Sequence, residues 1–388
     1  MESVLRVCLF TASFLPLVGG AERCADLVVR GLIARGHEAM VLAQRTGALP
    51  GELPYRVRHY RRPPWQHLWP EVLAWPLVKA HRAWRFEVIL AFDSYPCGYP
   101  ACWIKKRLGV AVVVSPRGED VQEGFFALRK PRVAACLAAG YRNADRIIAI
   151  SGWAAERVRA IAGPPPNSLP PIDLVYNGID MDADASLRAQ AREQGPSLPV
   201  AKPFILHLAR VDQRKQQTTA IRAVHMLREE FRRRGLKYAI AGDGHGMDEV
   251  RRVIGELGVG DIVVCLGTRT GLDKAWLYDN ALFCVAAALW ETFGNVLIEA
   301  MAAGQPILAS DIPTHREIVA PHQAGLFFKT GDPGDMARQL MRMLDEAPGL
   351  RAAAQAACGH YSLEAMVDGY ERSCLAALSA SGIRGNSP

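Results

Sequence analysis

The sequence predicts an α/β protein built from two doubly wound parallel-sheet domains of Rossmann-like type. Three observations carry this. Short apolar runs alternate along the chain with segments of helical spacing. Most of the runs are apolar at every position, as strands covered by helices on both faces must be. The alternation breaks once, near the middle of the 388 residues, in a stretch rich in proline and polar side chains.

Taken in order, the first strand is RVCLF (6–10). It follows MESVL, and this opening could also be read as a secretory leader, but Arg6 interrupts the apolar run and no small-residue cleavage pattern follows. A helix over GAERCADLVVRGLIARGHE ends at Gly36. Further strands are EAMVLA (38–43), FEVILAF (86–92), VAVVVS (110–115) and RIIAIS (146–151), and LVYNGID closes the domain. The break spans 162–203. A second set follows: FILHLA (204–209), KYAIAG (237–242), DIVVCLG (261–267), LFCVAAA (282–288) and PILASD (306–311). The predicted division is therefore an N-terminal α/β domain over 1–180, a linker over 181–203 and a C-terminal α/β domain over 204–360. A helix over 361–380 is expected to pack back on the first domain.

Composition narrows the class. Half of the residues are hydrophobic and 22% are charged, which supports a packed core and excludes a largely disordered chain. Nine cysteines form no C-x-x-C pair and several lie in apolar runs, so they are read as reduced core thiols. No apolar stretch approaches the roughly 20 residues of a membrane span. Of the net charge of +7, all the excess lies in residues 1–200, with 25 Lys and Arg against 18 Asp and Glu, while the remainder is balanced at 21 against 21.

In open parallel sheets ligands bind beyond the carboxyl ends of the strands, so the loops there are the candidate sites. After the first strand, Gly19 and Gly20 precede a helix whose free N–H groups suit an anion; a plain helix-initiating turn explains them equally. After FILHLA come Arg210 and Lys215, where two cations and a helix start could meet a diphosphate; the alternative is a solvated basic loop. Gly242, Asp243 and Gly244 end the next strand in a turn with room for a flat base, and Thr268 and Arg269 follow the strand after that. Last comes ETFGNVLIEAMAAGQPIL (291–308). Gly294 opens a helix, Glu291 precedes it, and Glu299 lies eight positions on in apolar surroundings, where a carboxylate wants a partner such as a ribose.

ETFGNVLIEAMAAGQPILASD resembles the E-x7-E signature of retaining glycosyltransferases of the GT-B fold, family 4, the glycosyl transferases group 1. The Gly-Gly loop, ADRIIAIS (144–151), VYNGID (175–180), Arg210 with Lys215, and AGDG (241–244) stand in the same order as in that family. The resemblance implies two Rossmann-like domains facing a central cleft, and transfer of a sugar from a nucleotide-sugar donor to an acceptor hydroxyl with retention. Arg210, Lys215 and Glu291 would be the catalytic set, the two cations taking up charge on the leaving diphosphate. Glu299 would hold the ribose, and Glu291 with the backbone of Phe293, Gly294 and Asn295 the donor sugar. Gly242, Asp243, Gly244, Thr268 and Arg269 would surround the base. Gly19 and Gly20 would close over the diphosphate from the first domain.

One departure stands out. Many relatives carry a histidine after the fourth N-terminal strand; here the stretch is SPRGEDVQ, with Arg117 in that place. Arg117, Glu119 and Asp120 are expected to face the acceptor, or Arg117 to pair with one of the carboxylates. DMDAD (180–184) contains a D-x-D pattern but falls in the linker, where a solvated turn is expected. No metal and no other cofactor is predicted. Residues 55–86 hold Trp65, Trp69, Trp75 and Trp84 among Arg58, Arg61, Arg62, Lys79, Arg82 and Arg85. Such a segment suits an anionic membrane surface or a surface helix with snorkelling cations; nucleic acid is not expected as a partner. The expected acceptor is a glycan or lipid-linked sugar of the cell envelope, and the expected location is cytoplasmic, peripheral on the inner face of the membrane. Rival readings are a sugar-nucleotide epimerase of the same fold and a non-catalytic nucleotide-sugar or glycan binder.

Overall fold

The computed structural model describes residues 4–17, 19–49, 51–63, 70–122, 124–163 and 169–382. The chain forms two compact units, residues 1–178 with 363–388 and residues 179–362.

The first unit is a seven-stranded sheet. Its strands are β1 (Arg6–Thr11), β2 (Glu38–Gln44), β3 (Arg56–Tyr60), β4 (Val88–Ala91), β5 (Ala111–Val114), β6 (Arg146–Ala149) and β7 (Ile172–Leu174), in spatial order β3-β2-β1-β4-β5-β6-β7. Every pairing is parallel. The opening residues thus supply the strand at which the order reverses. β4 and β5 are buried at every position, and each valine, leucine or isoleucine so enclosed contributes about 1.5–3 kcal/mol. β3 was not among the predicted strands: RVRHY lacks a continuous apolar run because it is an edge, and its exposed Arg56, Arg58 and His59 discourage further pairing. Helix α1 (Gly20–Ala34) packs against β2.

The second unit has six parallel strands, β8 (Phe204–Leu208), β9 (Lys237–Ala241), β10 (Val263–Gly267), β11 (Cys284–Ala286), β12 (Ile307–Ser310) and β13 (Gly325–Phe328), ordered β10-β9-β8-β11-β12-β13. The predicted linker is corrected here. Residues Met181–Gln194 form helix α2, which belongs to the second unit. Asp180 is its N-cap, accepting from the Ala183 N–H at 3.0 Å, and Asp182 and Asp184 lie in its first turn, where carboxylates favour the helix dipole. D-x-D is therefore a helix start rather than a free turn. Arg188 and Arg192 anchor the helix to Asp279 at 3.5 and 2.7 Å.

Two further helices of the second unit position the site: α3 (Gly271–Asn280) and α4 (Asn295–Ala302). The final helix, α5 (Leu363–Ala380), buries Met366, Val367, Tyr370, Cys374 and Ala377 in the core of the first unit beside Val28 and Val113. All nine cysteines are free thiols and seven are buried. Among the described residues no helix is long and apolar enough to cross a membrane.

Candidate active site

In each sheet the strand order reverses at one place, β1/β4 in the first unit and β8/β11 in the second. Such a reversal opens a crevice at the strand ends. In the second unit the β8 and β11 loops carry Arg210, Lys215 and Glu291.

The β8 loop is held by its own aspartate. Asp212 caps the short turn Gln213–Lys215, accepting from the Lys215 N–H at 3.2 Å, and pairs with Arg214 at 3.1 Å and Arg210 at 3.4 Å. Burial alone would raise Asp212, but the hydrogen bond and charge of Arg214 hold it below the usual carboxylate range. The Arg210 side chain is 64% exposed and reaches solvent. Lys215 is turned inward, and its ammonium pairs with the Glu291 carboxylate. Burial, then the positive charge of Arg214, lowers Lys215 to about 8. The β11 loop is tied to the β8 loop by the Leu289 N–H donating to the Arg214 carbonyl at 2.8 Å, and the Arg214 guanidinium lies 4.4 Å from the Trp290 ring centre. Arg214 and Trp290 were missed in the sequence because only the fold brings them together.

Gly294 has φ +96° and caps α4, with Asn295 the first helical residue. The Phe293 ring is buried and packs edge-on against Tyr361 at 6.3 Å. Glu299 lies on α4 facing α3. The Lys274 ammonium donates to one of its oxygens at 2.7 Å and the Tyr278 hydroxyl to the other at 2.9 Å. Lys274 and Tyr278 are one helical turn apart, the one sequence signal that they share a face. The expectation that Glu299 needs a partner holds, with the partner supplied by the protein itself.

The AGDG turn calls for a different explanation. A Cβ at Gly242 or Gly244 would collide with the carbonyls of Ala209 and Val211. The Val211 N–H also donates to the Asp243 carbonyl at 2.9 Å. The glycines let the β8 and β9 loops touch, which gives them a packing reason independent of any ligand. Asp243 and Thr268 are exposed; Arg269 is tied to its own turn, donating to the Leu266 carbonyl at 2.9 Å and to Asp273 at 3.1 Å.

In the first unit Gly19 caps α1, and Gly19 and Gly20 are exposed. The acceptor-side expectation for Arg117 is corrected. Arg117 is 9% exposed, with its guanidinium donating to the Tyr370 hydroxyl and to Asn177 Oδ1, both at 2.8 Å, and lying 4.3 Å from the Phe92 ring centre. It pairs with neither carboxylate of its own loop. Asp120 is buried too, accepting from the N–H groups of Ser94 at 2.8 Å and Gly118 at 3.0 Å, while Glu119 is exposed. A buried guanidinium needs acceptors and a ring face; the inside of this unit supplies them to both terminal nitrogens, while Nε has no hydrogen-bond partner among the described residues.

Asp93, at the end of β4, was not singled out from the sequence. It accepts from the Thr11 hydroxyl at 2.8 Å and the Ala12 N–H at 2.9 Å. Burial, then the like charge of Asp120, raises it to about 7. The signal that could have found it is its place at the first sheet's reversal point.

Among the described residues no group of three or more His, Cys, Asp or Glu is arranged to hold a metal ion. Of the tryptophans in 55–86, Trp65 and Trp69 lie outside the described residues. Trp75 is 64% exposed on the helix Ala74–Ala83, while Trp84 is partly buried against the core.

Two family patterns follow one another along this chain. Glycosyltransferase Family 4 matches residues 18–183, and Glycosyl transferases group 1 matches residues 190–359. The chain belongs to the group 1 glycosyltransferases. A GDP-mannose-dependent alpha-mannosyltransferase of Mycobacterium tuberculosis is 27% identical over 347 residues, covering 84% of this chain and 85% of that one. An uncharacterized glycosyltransferase of Methanocaldococcus jannaschii is 26% identical over 88% of this chain and 90% of its own. Among solved structures, the Anabaena HepE protein in complex with UDP and glucose superposes with a TM-score of 0.76 at 21% identity, over 95% of this chain and 98% of that one. The sucrose-phosphate synthase of Thermosynechococcus elongatus reaches 0.79 at 19% identity, over 95% and 98%. These likenesses establish the GT-B fold for this group 1 glycosyltransferase.

Proposed function

We propose that the chain moves a sugar from a nucleotide-sugar donor to an acceptor hydroxyl with retention of configuration and without a metal. The observation that carries this reading is the meeting of Lys215 with Glu291 at the β8/β11 reversal point, one helix away from Glu299. Arg210, exposed, and Lys215 take up charge on the departing diphosphate; the N-terminus of α4 adds N–H groups. Glu299, already ordered by Lys274 and Tyr278, accepts from the ribose hydroxyls. Glu291 exchanges Lys215 for a hydroxyl of the donor sugar when the diphosphate arrives. The named complexes of HepE with UDP and glucose, and the GDP-mannose dependence in the mycobacterial relative's name, support the donor class.

The test is thermal stabilisation by UDP-, GDP-, ADP- and dTDP-sugars, with Glu299→Ala beside the wild type. A ligand at about 100 times its dissociation constant adds about 2.7 kcal/mol. One nucleotide-sugar should stabilise the wild type and much less the variant; equal responses overturn the reading. Transfer in excess EDTA, with the product anomer assigned by NMR, tests metal independence and retention.

The acceptor in this reading is a cell-envelope glycan or glycolipid, met on the cytoplasmic face. The exposed Trp75, with Lys79 and Arg82 four and seven positions on along the same helical face, supports docking on anionic lipid. Equal partitioning onto neutral and anionic liposomes at low salt would refute that contact.

A further inference from the structure

His315 is a buried histidine that the donor-site reading leaves unused. It lines the same small cavity as Lys215, Glu291 and Val296. It is 1% exposed and follows β12 in the stretch DIPTHREIV.

Its hydrogen bonds decide its tautomer. Nδ1 lies 3.1 Å from the Ser310 carbonyl oxygen and 3.1 Å from Ser310 Oγ. The hydroxyl hydrogen of Ser310 is used elsewhere, donated to the Ala288 carbonyl at 2.8 Å, while Oγ accepts the Ala288 N–H at 3.0 Å. Both Ser310 oxygens therefore act as acceptors toward the ring, and Nδ1 carries the proton. Among the described residues Nε2 has no hydrogen-bond partner and presents a bare lone pair. The ring stays neutral across working pH, because burial, then the charge of Lys215, lowers it to about 3. The ring's other edge is turned to the cap of α4: a Cβ at Gly294 would stand 3.8 Å from His315 Cδ2, the carbon bonded to Nε2.

A bare nitrogen lone pair repels phosphate oxygens, which bring no proton at neutral pH. In the ribose, diphosphate and sugar of a nucleotide-sugar the donors it can meet are hydroxyls, or the amide N–H of an acylamino sugar. The ribose hydroxyls go to Glu299 in the reading above, which leaves the transferred sugar. We propose that His315 is a sugar-selecting residue whose Nε2 accepts a hydrogen bond from one hydroxyl of the donor sugar, with Ser310 fixing the ring. This rests on the donor-site assignment of the preceding subsection.

The experiment titrates a nucleoside diphosphate and its sugar derivative into wild type, His315→Phe and His315→Gln, using whichever nucleotide series stabilises the wild type. Phenylalanine keeps a ring without the acceptor; glutamine restores an acceptor near Nε2. Expected is about a tenfold loss of affinity for the nucleotide-sugar in His315→Phe, of the size of one hydrogen bond. The nucleoside diphosphate should bind unchanged, and His315→Gln should recover most of the loss. Equal loss of both ligands makes His315 a brace for Lys215 or for the β11 loop and overturns the proposal, as does no loss at all. If no nucleotide binds the wild type, the donor site itself fails and this assignment falls with it. Should His315→Phe not fold, ¹⁵N spectra of histidine-labelled wild type decide. They should show Nδ1 protonated, with Nε2 shifting on addition of nucleotide-sugar but not of nucleoside diphosphate. A protonated Nε2 in the free protein, or no shift, overturns it.

Discussion

The two sheets reverse order in the same way, and each places a carboxylate at the reversal point, yet the chemistry around them is opposite. At β1/β4, Asp93 is held by a hydroxyl and a backbone N–H, with no cation paired to it among the described residues, and its carboxyl rises to about 7. At β8/β11, Glu291 is held by Lys215, and it is the cation that is perturbed, down to about 8. Near its reversal point the first unit turns Arg117, Asp93 and Asp120 inward and meets them largely with its own groups, leaving Arg117 Nε without a hydrogen-bond partner among the described residues. The second leaves Arg210 largely in solvent and pairs Lys215 with Glu291 and Lys274 with Glu299. The same topology thus yields one inward-facing polar framework and one loop site built on cation–carboxylate pairs.

The sharpest way to break this contrast is Lys215→Met. Loss of a group that stabilises charge in the transition state costs about 10²–10³ in kcat, and a folded variant that transfers sugar at the wild-type rate would remove the second unit's site. Next is Arg117→Met, expected to destabilise the first unit by about 2–3 kcal/mol in denaturant, because the Tyr370 hydroxyl and Asn177 lose their buried partner. Donor affinity should not change; if stability holds while activity drops, Arg117 acts on a ligand rather than on the framework.

Lys274→Met should weaken nucleotide binding by less than Glu299→Ala, since it removes only one of two donors that orient Glu299. Calorimetry of both variants checks the order, and the reverse order would assign the ligand contact to Lys274. The smallest effect is in pH. Lys215 binds a proton up to about pH 8 when folded and to about 10.5 when unfolded. The unfolded chain therefore holds more protons between those values, and this group's contribution to stability rises with pH there. Diphosphate affinity moves the other way, falling above about pH 8 as the ammonium is lost. For Asp93 the folded chain holds more protons between the ordinary carboxylate range and about 7, so stability falls with rising pH in that window. Asp93→Asn should flatten the acidic limb and Lys215→Met the alkaline one.

Buried strands were legible because a strand covered on both faces must be apolar throughout, as in VILA of β4 and AVVV of β5. β3 was not, since an edge strand alternates and carries charge. Helix α2 was not, since Ala191 is its one buried residue and MDADASLRAQAREQ reads as polar loop. Lys215 and Glu291 could be singled out from their places beyond strand ends, and Glu299 from its charge in the apolar helix that follows. Lys274, Tyr278, Ser310 and His315 were not, because each matters only through a neighbour distant in sequence.

The sequence by itself determined that there are two parallel sheets, where most of their strands lie (β3 and β13 excepted), and which charged residues stand beyond the strand ends. Burial pattern and loop position are local properties, written in consecutive residues. Only the tertiary structure decided which way the charges turn. It put Arg117 under Tyr370 instead of in solvent, filled the space beside Gly242 and Gly244 with the β8 loop, and set His315 against Ser310. A side chain's facing depends on the partners that desolvation obliges it to find, and for Arg117 those partners lie 60 and 253 positions away along the chain.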